Sequence, residues 1–142
     1  MPYPIDALLG RSILIVEDEY FLADYIESAI RSAGGDVQGP FASVEEGVAW
    51  LREPHGPVDG ATLNVNLADG SSYPLADELM RVGVPFLFAS ALTDTLLPHR
   101  FSNVPLLMKP FTANQVVAAV MDLVSGRMRA NDTRPVSPAP NR

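Results

Sequence analysis

Ile13-Leu14-Ile15-Val16-Glu17-Asp18-Glu19 is the stretch whose reading decides the fold. Four aliphatic residues in succession suit a strand buried on both faces of a parallel sheet, where no face alternates toward water. The run stops abruptly at three carboxylates. From Tyr20 to Ala33 the spacing changes to roughly the 3.6-residue period of a helix, with Leu22, Ile26, Ala29 and Ile30 on one side. Gly34 and Gly35 supply its stop. The order is therefore strand, acidic turn, helix.

The same unit repeats along the chain. Val37 to Phe41 gives a second strand, and Ser43 with Glu46 three residues on forms a capping box for a helix through Val44, Val48 and Leu51 that ends before Pro54. A third strand is predicted over Ala61 to Val65, followed by a turn-rich loop over Ala68 to Ser72. Pro74 opens a helix running to Val82 and closed by Gly83. Val84 to Ala89 and Val104 to Met108 are the fourth and fifth strands, and Pro98 limits any helix between them to a short or irregular one. Thr112 and Gln115 form a second capping box, opening a last helix to Gly126. Five strands alternating with helices imply right-handed crossovers and an α/β, doubly wound parallel sheet of flavodoxin-like strand order 2-1-3-4-5.

The 142 residues fit one domain, with 1–11 as an N-terminal extension, 12–126 as the folded unit and 127–142, which holds three prolines, as a disordered tail. Net charge is -7 and the ten basic residues are scattered, which argues against a nucleic-acid surface. No cysteine is present, so thiolate chemistry, disulfides and Cys-based metal sites are excluded. No apolar run approaches the length of a membrane span and no signal-peptide layout opens the chain, so a cytoplasmic protein is expected.

Ligand chemistry in such a sheet collects at the carboxyl ends of the strands. The residues there are Glu17 and Asp18 after the first strand, Asn64 and Asn66 at the third, Ser90 after the fourth, and Lys109, followed directly by Pro110, after the fifth. On this ordered set the chain resembles a response-regulator receiver domain, CheY-like, over about Ser12 to Ser125. Phe88-Ala89-Ser90 also resembles the opening of the FATGUY motif of a mainly alphaproteobacterial receiver group, although Ala91 and Thr93 depart from it. The resemblance implies that Glu17, Asp18 and the backbone carbonyl of Asn66 hold Mg2+, that Ser90 and Lys109 contact a phosphoryl group, and that Asn64 stands at the phosphoacceptor position. Leu106 occupies the place of the aromatic switch residue many receivers carry. The implied role is a single-domain response regulator of a two-component phosphorelay, not an enzyme. Its implied partner is a histidine kinase or phosphotransfer protein, and a homodimer through the 93–125 face is the further expectation.

Physical chemistry supports the scheme, because a hard cation takes oxygen ligands and phosphoryl transfer needs mainly positioning and charge neutralisation. Asn64 departs from it. A neutral amide lacks the charged carboxylate oxygen that attacks a phosphoryl donor, so acyl-phosphate formation is expected to be absent and Mg2+ binding weakened. Its NH2 is able to donate to Asp18, which aspartate cannot do when ionised. Natural divergence and an engineered Asp-to-Asn block both produce this sequence. A flavodoxin-like enzyme would want a Gly- or hydroxyl-rich phosphate loop where Glu17-Asp18-Glu19 stands. Elsewhere, His55 and His99 read as surface, Trp50 as core, and Asp69 as a residue that caps or shapes its loop. Leu96, Leu97 and Phe101 are either core or an exposed apolar patch.

Overall fold

The aliphatic run at the start of the chain pairs on both sides. In the computed structural model, which describes residues 3–91 and 97–128, β1 (Ser12–Val16) leads into α1 (Tyr20–Ser32), β2 (Asp36–Phe41), α2 (Val44–Arg52) and β3 (Gly60–Asn64). A small hairpin of β4 (Asn66–Leu67) and β5 (Gly70–Ser71) precedes α3 (Tyr73–Val82) and β6 (Phe86–Ser90). A 3-10 turn (His99–Phe101), β7 (Leu106–Met108) and α4 (Ala113–Met128) complete the order. The main sheet runs β2-β1-β3-β6-β7 with every pair parallel, the expected order once β6 and β7 are counted as fourth and fifth.

Side-chain alternation along β1 splits the core into two layers. Ile13 and Ile15 face α1 and α4, meeting Ile26, Ile30, Val117 and Val120. Leu14 and Val16 face α2 and α3, meeting Leu63, Leu75, Leu79 and Phe88. Residues of β1, β3 and β6 are buried throughout, as burial on both faces of a parallel sheet requires.

Helix ends follow the local chemistry. Ser43 Oγ accepts from the Glu46 amide at 3.1 Å, and Glu46 Oε1 reaches back to the Ala42 amide at 3.1 Å. Thr112 and Gln115 complete the reciprocal box, each side chain accepting from the other's backbone N–H at 3.1 and 2.8 Å. Gly83 takes φ +78°, and the Val84 and Gly83 amides return to the Leu79 and Met80 carbonyls, a Schellman closure that needs the left-handed region glycine enters freely.

Several boundaries differ from the sequence reading. The segment set apart as an extension contributes Leu8, which is fully buried, and its amide bonds the Ala33 carbonyl at 2.8 Å. α4 continues to Met128, past the Gly126 limit of the expected domain. The fifth strand pairs only from Leu106 because Pro105 has no N–H for the ladder, although its carbonyl still accepts from Phe88 at 3.0 Å. Phe101 is not part of an exposed patch on the 93–125 face. It is fully buried, with ring centroids 5.5 Å from Phe88 and 5.4 Å from Tyr73. Exposed apolar surface on that face lies instead at Leu106 and Met108 of the edge strand. Leu96 and Thr93 lie outside the described residues, as does the expected disordered tail from 129 onward.

Phe101→Ala should cost about 3–5 kcal/mol in urea unfolding, against about 1 kcal/mol or less for the half-exposed Leu106→Ala; equal costs would contradict the core assignment. Thr62, on the central strand, buries a hydroxyl with no hydrogen-bond partner among the described residues. Thr62→Val removes that orphan at nearly constant shape and should raise stability by about 1 kcal/mol in the same measurement.

Candidate functional site

Register brings the polar strand ends together. Val16 pairs with Leu63, so Glu17 and Asn64 are neighbours just beyond the last paired residues of β1 and at the end of β3. Asn64 in turn pairs with Ala89, placing Ser90 one step on, and Ser90 pairs with Met108, placing Lys109 one step beyond that. The Lys109 amide donates to the Ser90 carbonyl at 2.8 Å, which extends the ladder to the site.

Asn64 is buried at the centre of this edge. Its Nδ2 donates to Glu17 Oε2 at 3.1 Å and to Asp18 Oδ1 at 3.3 Å, while its Oδ1 accepts from Lys109 Nζ at 3.1 Å. The reverse amide orientation would set Nδ2 against the lysine ammonium, donor against donor, and Oδ1 against two carboxylates. One orientation therefore satisfies all three charged neighbours. The sequence pointed to Asp18 as the recipient of the amide; Glu17, which it did not name, receives the shorter bond.

Glu17 is nearly closed to solvent, and burial pushes its carboxyl above the ordinary glutamate value, opposed chiefly by the Lys109 charge. The Glu19 amide donates to Oε2 at 3.2 Å, whereas Oε1 has no hydrogen-bond partner among the described residues and lies 3.8 Å from Lys109 Nζ. Asp18 is exposed at the rim. Ser90 is buried, and its hydroxyl donates to the adjacent Ala91 carbonyl at 3.1 Å. Asn66 opens β4 and is exposed.

Four of the six anticipated residues, Glu17, Asp18, Asn64 and Lys109, thus share one hydrogen-bonded cluster. Their arrangement does not fit Mg2+. A magnesium ion needs oxygen donors turned on a common point. Here an NH2 group stands between the two carboxylates, and the oxygen of the same amide is committed to a lysine. Among the described residues no group of three or more His, Cys, Asp or Glu side chains is placed to hold a metal ion.

Other polar residues lie elsewhere in the fold. Asp69, at the hairpin tip, accepts from the Val44 and Glu45 amides at 3.0 and 3.2 Å, so it caps α2 across the fold, and the Val44 bond holds its carboxyl below the ordinary aspartate value. Asp59 accepts from the Ser12 amide at 2.8 Å, at the opposite edge of the sheet. His55 stacks on Trp50 at 4.3 Å, and His99 is exposed on the 3-10 turn.

A carboxyl whose folded value is raised binds extra protons in the native state, so it adds stability at low pH that is lost as pH rises from 4.5 through the raised value. Glu17→Gln should remove that falling component from a stability profile measured by denaturant at successive pH values; an unchanged slope would contradict it.

No protein-family model matches the chain, and no curated protein matches it. Among solved structures, SdrG from Sphingomonas melonis Fr1 is 35% identical with TM-score 0.70, over 83% of this chain and 98% of its own. The BeF3-activated conformation of SdrG, from Pseudomonas melonis Fr1, is 33% identical with TM-score 0.67, over 82% and 99%. A response regulator receiver protein from Sinorhizobium medicae WSM419 shares the fold at 22% identity and TM-score 0.69, over 82% and 96%. Nearly the whole of SdrG is matched at an identity that carries kinship as well as shape, and with the receiver's strand order in place the chain belongs to the response-regulator receiver family.

Proposed function

We propose that this receiver is a signalling module that accepts no phosphate on Asn64 and works through protein-protein contact. One observation carries the reading: the group at the acceptor position is an amide whose oxygen is held by Lys109 and whose nitrogen is held by Glu17 and Asp18. It has no nucleophilic oxygen to offer, and the lysine that would meet a phosphoryl group already has its acceptor. The partner is a histidine kinase or phosphotransfer protein, met in the cytoplasm, and the module itself is not an enzyme. Phe88-Ala89-Ser90 supports placing it near the FATGUY-type receivers. Leu106 and Met108, apolar and exposed on β7, support a homodimer contact within the 93–125 face.

A second reading is a phosphotransfer-competent receiver carrying an Asp-to-Asn block. It is favoured by Lys109, Glu17 and Asp18 standing around position 64. SdrG is described in a BeF3-activated conformation, which gives a direct comparison.

Intact-mass measurement after treatment with a small phosphodonor and Mg2+ separates the two. The protein as it stands should gain no phosphate under either reading. Asn64→Asp should gain one phosphate and become responsive to a kinase if the block alone disables the pocket, and should stay inert if the pocket has diverged. Phosphate on the unsubstituted chain would sink both. Magnesium should bind Asn64→Asp at least about 10–100-fold more tightly, the scale on which site supports act. Equal affinity would show that the amide does not obstruct the ion.

A further inference from the structure

Helix α1 leaves an aromatic ledge uncovered beside the pocket. Tyr20, Phe21 and Tyr25 are 76%, 79% and 42% exposed, while the helix buries Ala23, Ile26, Ala29 and Ile30 on its other side. The Tyr20 and Phe21 rings meet edge to face at 5.5 Å. Exposed Asp18, Glu19 and Asp24 neighbour these rings in sequence, and none of them is ion-paired among the described residues. The surface is therefore both apolar and negative, a combination that isolated exposed hydrophobics do not produce.

The chain carries a segment of complementary chemistry. Residues 129–142, outside the described part, hold Arg129, Arg134 and Arg142 against the single carboxylate of Asp132, and place Pro135 and Pro138 in the P-x-x-P spacing with Pro140 two residues on. Proline-rich segments dock on aromatic surfaces, and guanidinium groups favour both aromatic faces and carboxylates.

Geometry permits the encounter. α1 and α4 share one core layer, and each begins at the carboxyl edge of the sheet, after β1 and β7, and runs to the opposite edge. The segment after Met128 therefore starts near the far end of α1, whose thirteen residues rise about 20 Å. An extended proline-rich chain advances about 3.1 Å per residue, so the stretch from Arg129 to Pro135 spans roughly 22 Å. That is enough to bring the prolines to Phe21.

We propose that Arg134–Pro140 docks on the Tyr20, Phe21 and Tyr25 ledge of its own chain, with Arg134 directed to the neighbouring carboxylates. The segment then covers the surface next to the Asn64 pocket and competes with any protein that binds there.

Absence of cysteine makes the test clean, since Ser137→Cys in the full chain gives one attachment point for a nitroxide. The label should cause a loss of amide NMR intensity over Tyr20–Tyr25, restored on reduction of the nitroxide, while β7 keeps its intensity. The loss should disappear in Phe21→Ser with Tyr25→Ser, both exposed positions whose exchange leaves the core intact. It should weaken as ionic strength is raised from about 0.01 M to about 1 M, which shortens the screening length from about 30 to about 3 Å. Loss that is absent, uniform or centred on Leu106 and Met108 would overturn the proposal. So would loss seen only between a labelled chain and a second, isotope-labelled copy.

Discussion

The side-chain amide of Asn64 sits between charges of opposite sign that ask opposite things of it. Glu17 and Asp18 only accept, Lys109 only donates, and the amide answers both at once. Burying a carboxylate as deeply as Glu17 costs several kcal/mol, and hydrogen bonds to charged groups return about 1.5–3 kcal/mol each. Glu17 has two of these, from Asn64 and the Glu19 amide, with Lys109 too far for a third. That balance agrees with a carboxyl held above its ordinary value, the cost of burial outweighing the lysine's attraction. An aspartate at position 64 would add a third carboxylate and withdraw a donor, leaving the cluster dependent on a cation. The amide thus supplies the carboxylates with a donor that an ionised aspartate would not.

This concentration of polar groups follows from the sheet. With β1, β3 and β6 covered on both faces, a polar side chain on them is either orphaned or displaced to a strand end. Thr62 shows the first outcome and Asn64, two residues on and on the same side of the strand, the second. Register then does the assembly: residues remote in the chain become neighbours because each parallel pairing fixes which strand ends coincide.

What could be read from the chain divides along the same line. The aliphatic run of β1, the 3.6 period of α1 and the two capping boxes are local signals, and each appears where the residues placed it. Glu17, Asp18, Asn64 and Lys109 were legible as strand ends because topology fixes where strand ends meet. Hidden from a local reading were contacts set by tertiary packing. The two-residue strands β4 and β5 are too short to show a period, and Leu8 precedes any repeating element yet fills a gap beside Ala33. Phe101 sits in a stretch without helical spacing, and only its neighbours Phe86, Phe88 and Tyr73 reveal it as core. Asp69 offered a loop-forming residue, but nothing near it in sequence names α2 as the helix it caps.

That last contact bears on how the pocket is held. Beyond Asn64 the chain enters a hairpin whose base is closed by the Ser72 amide and hydroxyl, both donating to the Val65 carbonyl at 2.9 and 3.2 Å. The hairpin tip is fixed by the Asp69 carboxylate on the first amides of α2. One end of this loop is therefore tied to Lys109, Glu17 and Asp18 through Asn64, its base to itself, and its tip to α2, which packs in the same core layer as Val65 and Leu67. Admitting a cation between Glu17 and Asp18 would require the amide to turn, which sets its NH2 against the Lys109 ammonium. Resistance to such a change comes from electrostatics at the strand ends. The loop after Asn64 is thus kept in place by contacts internal to the chain.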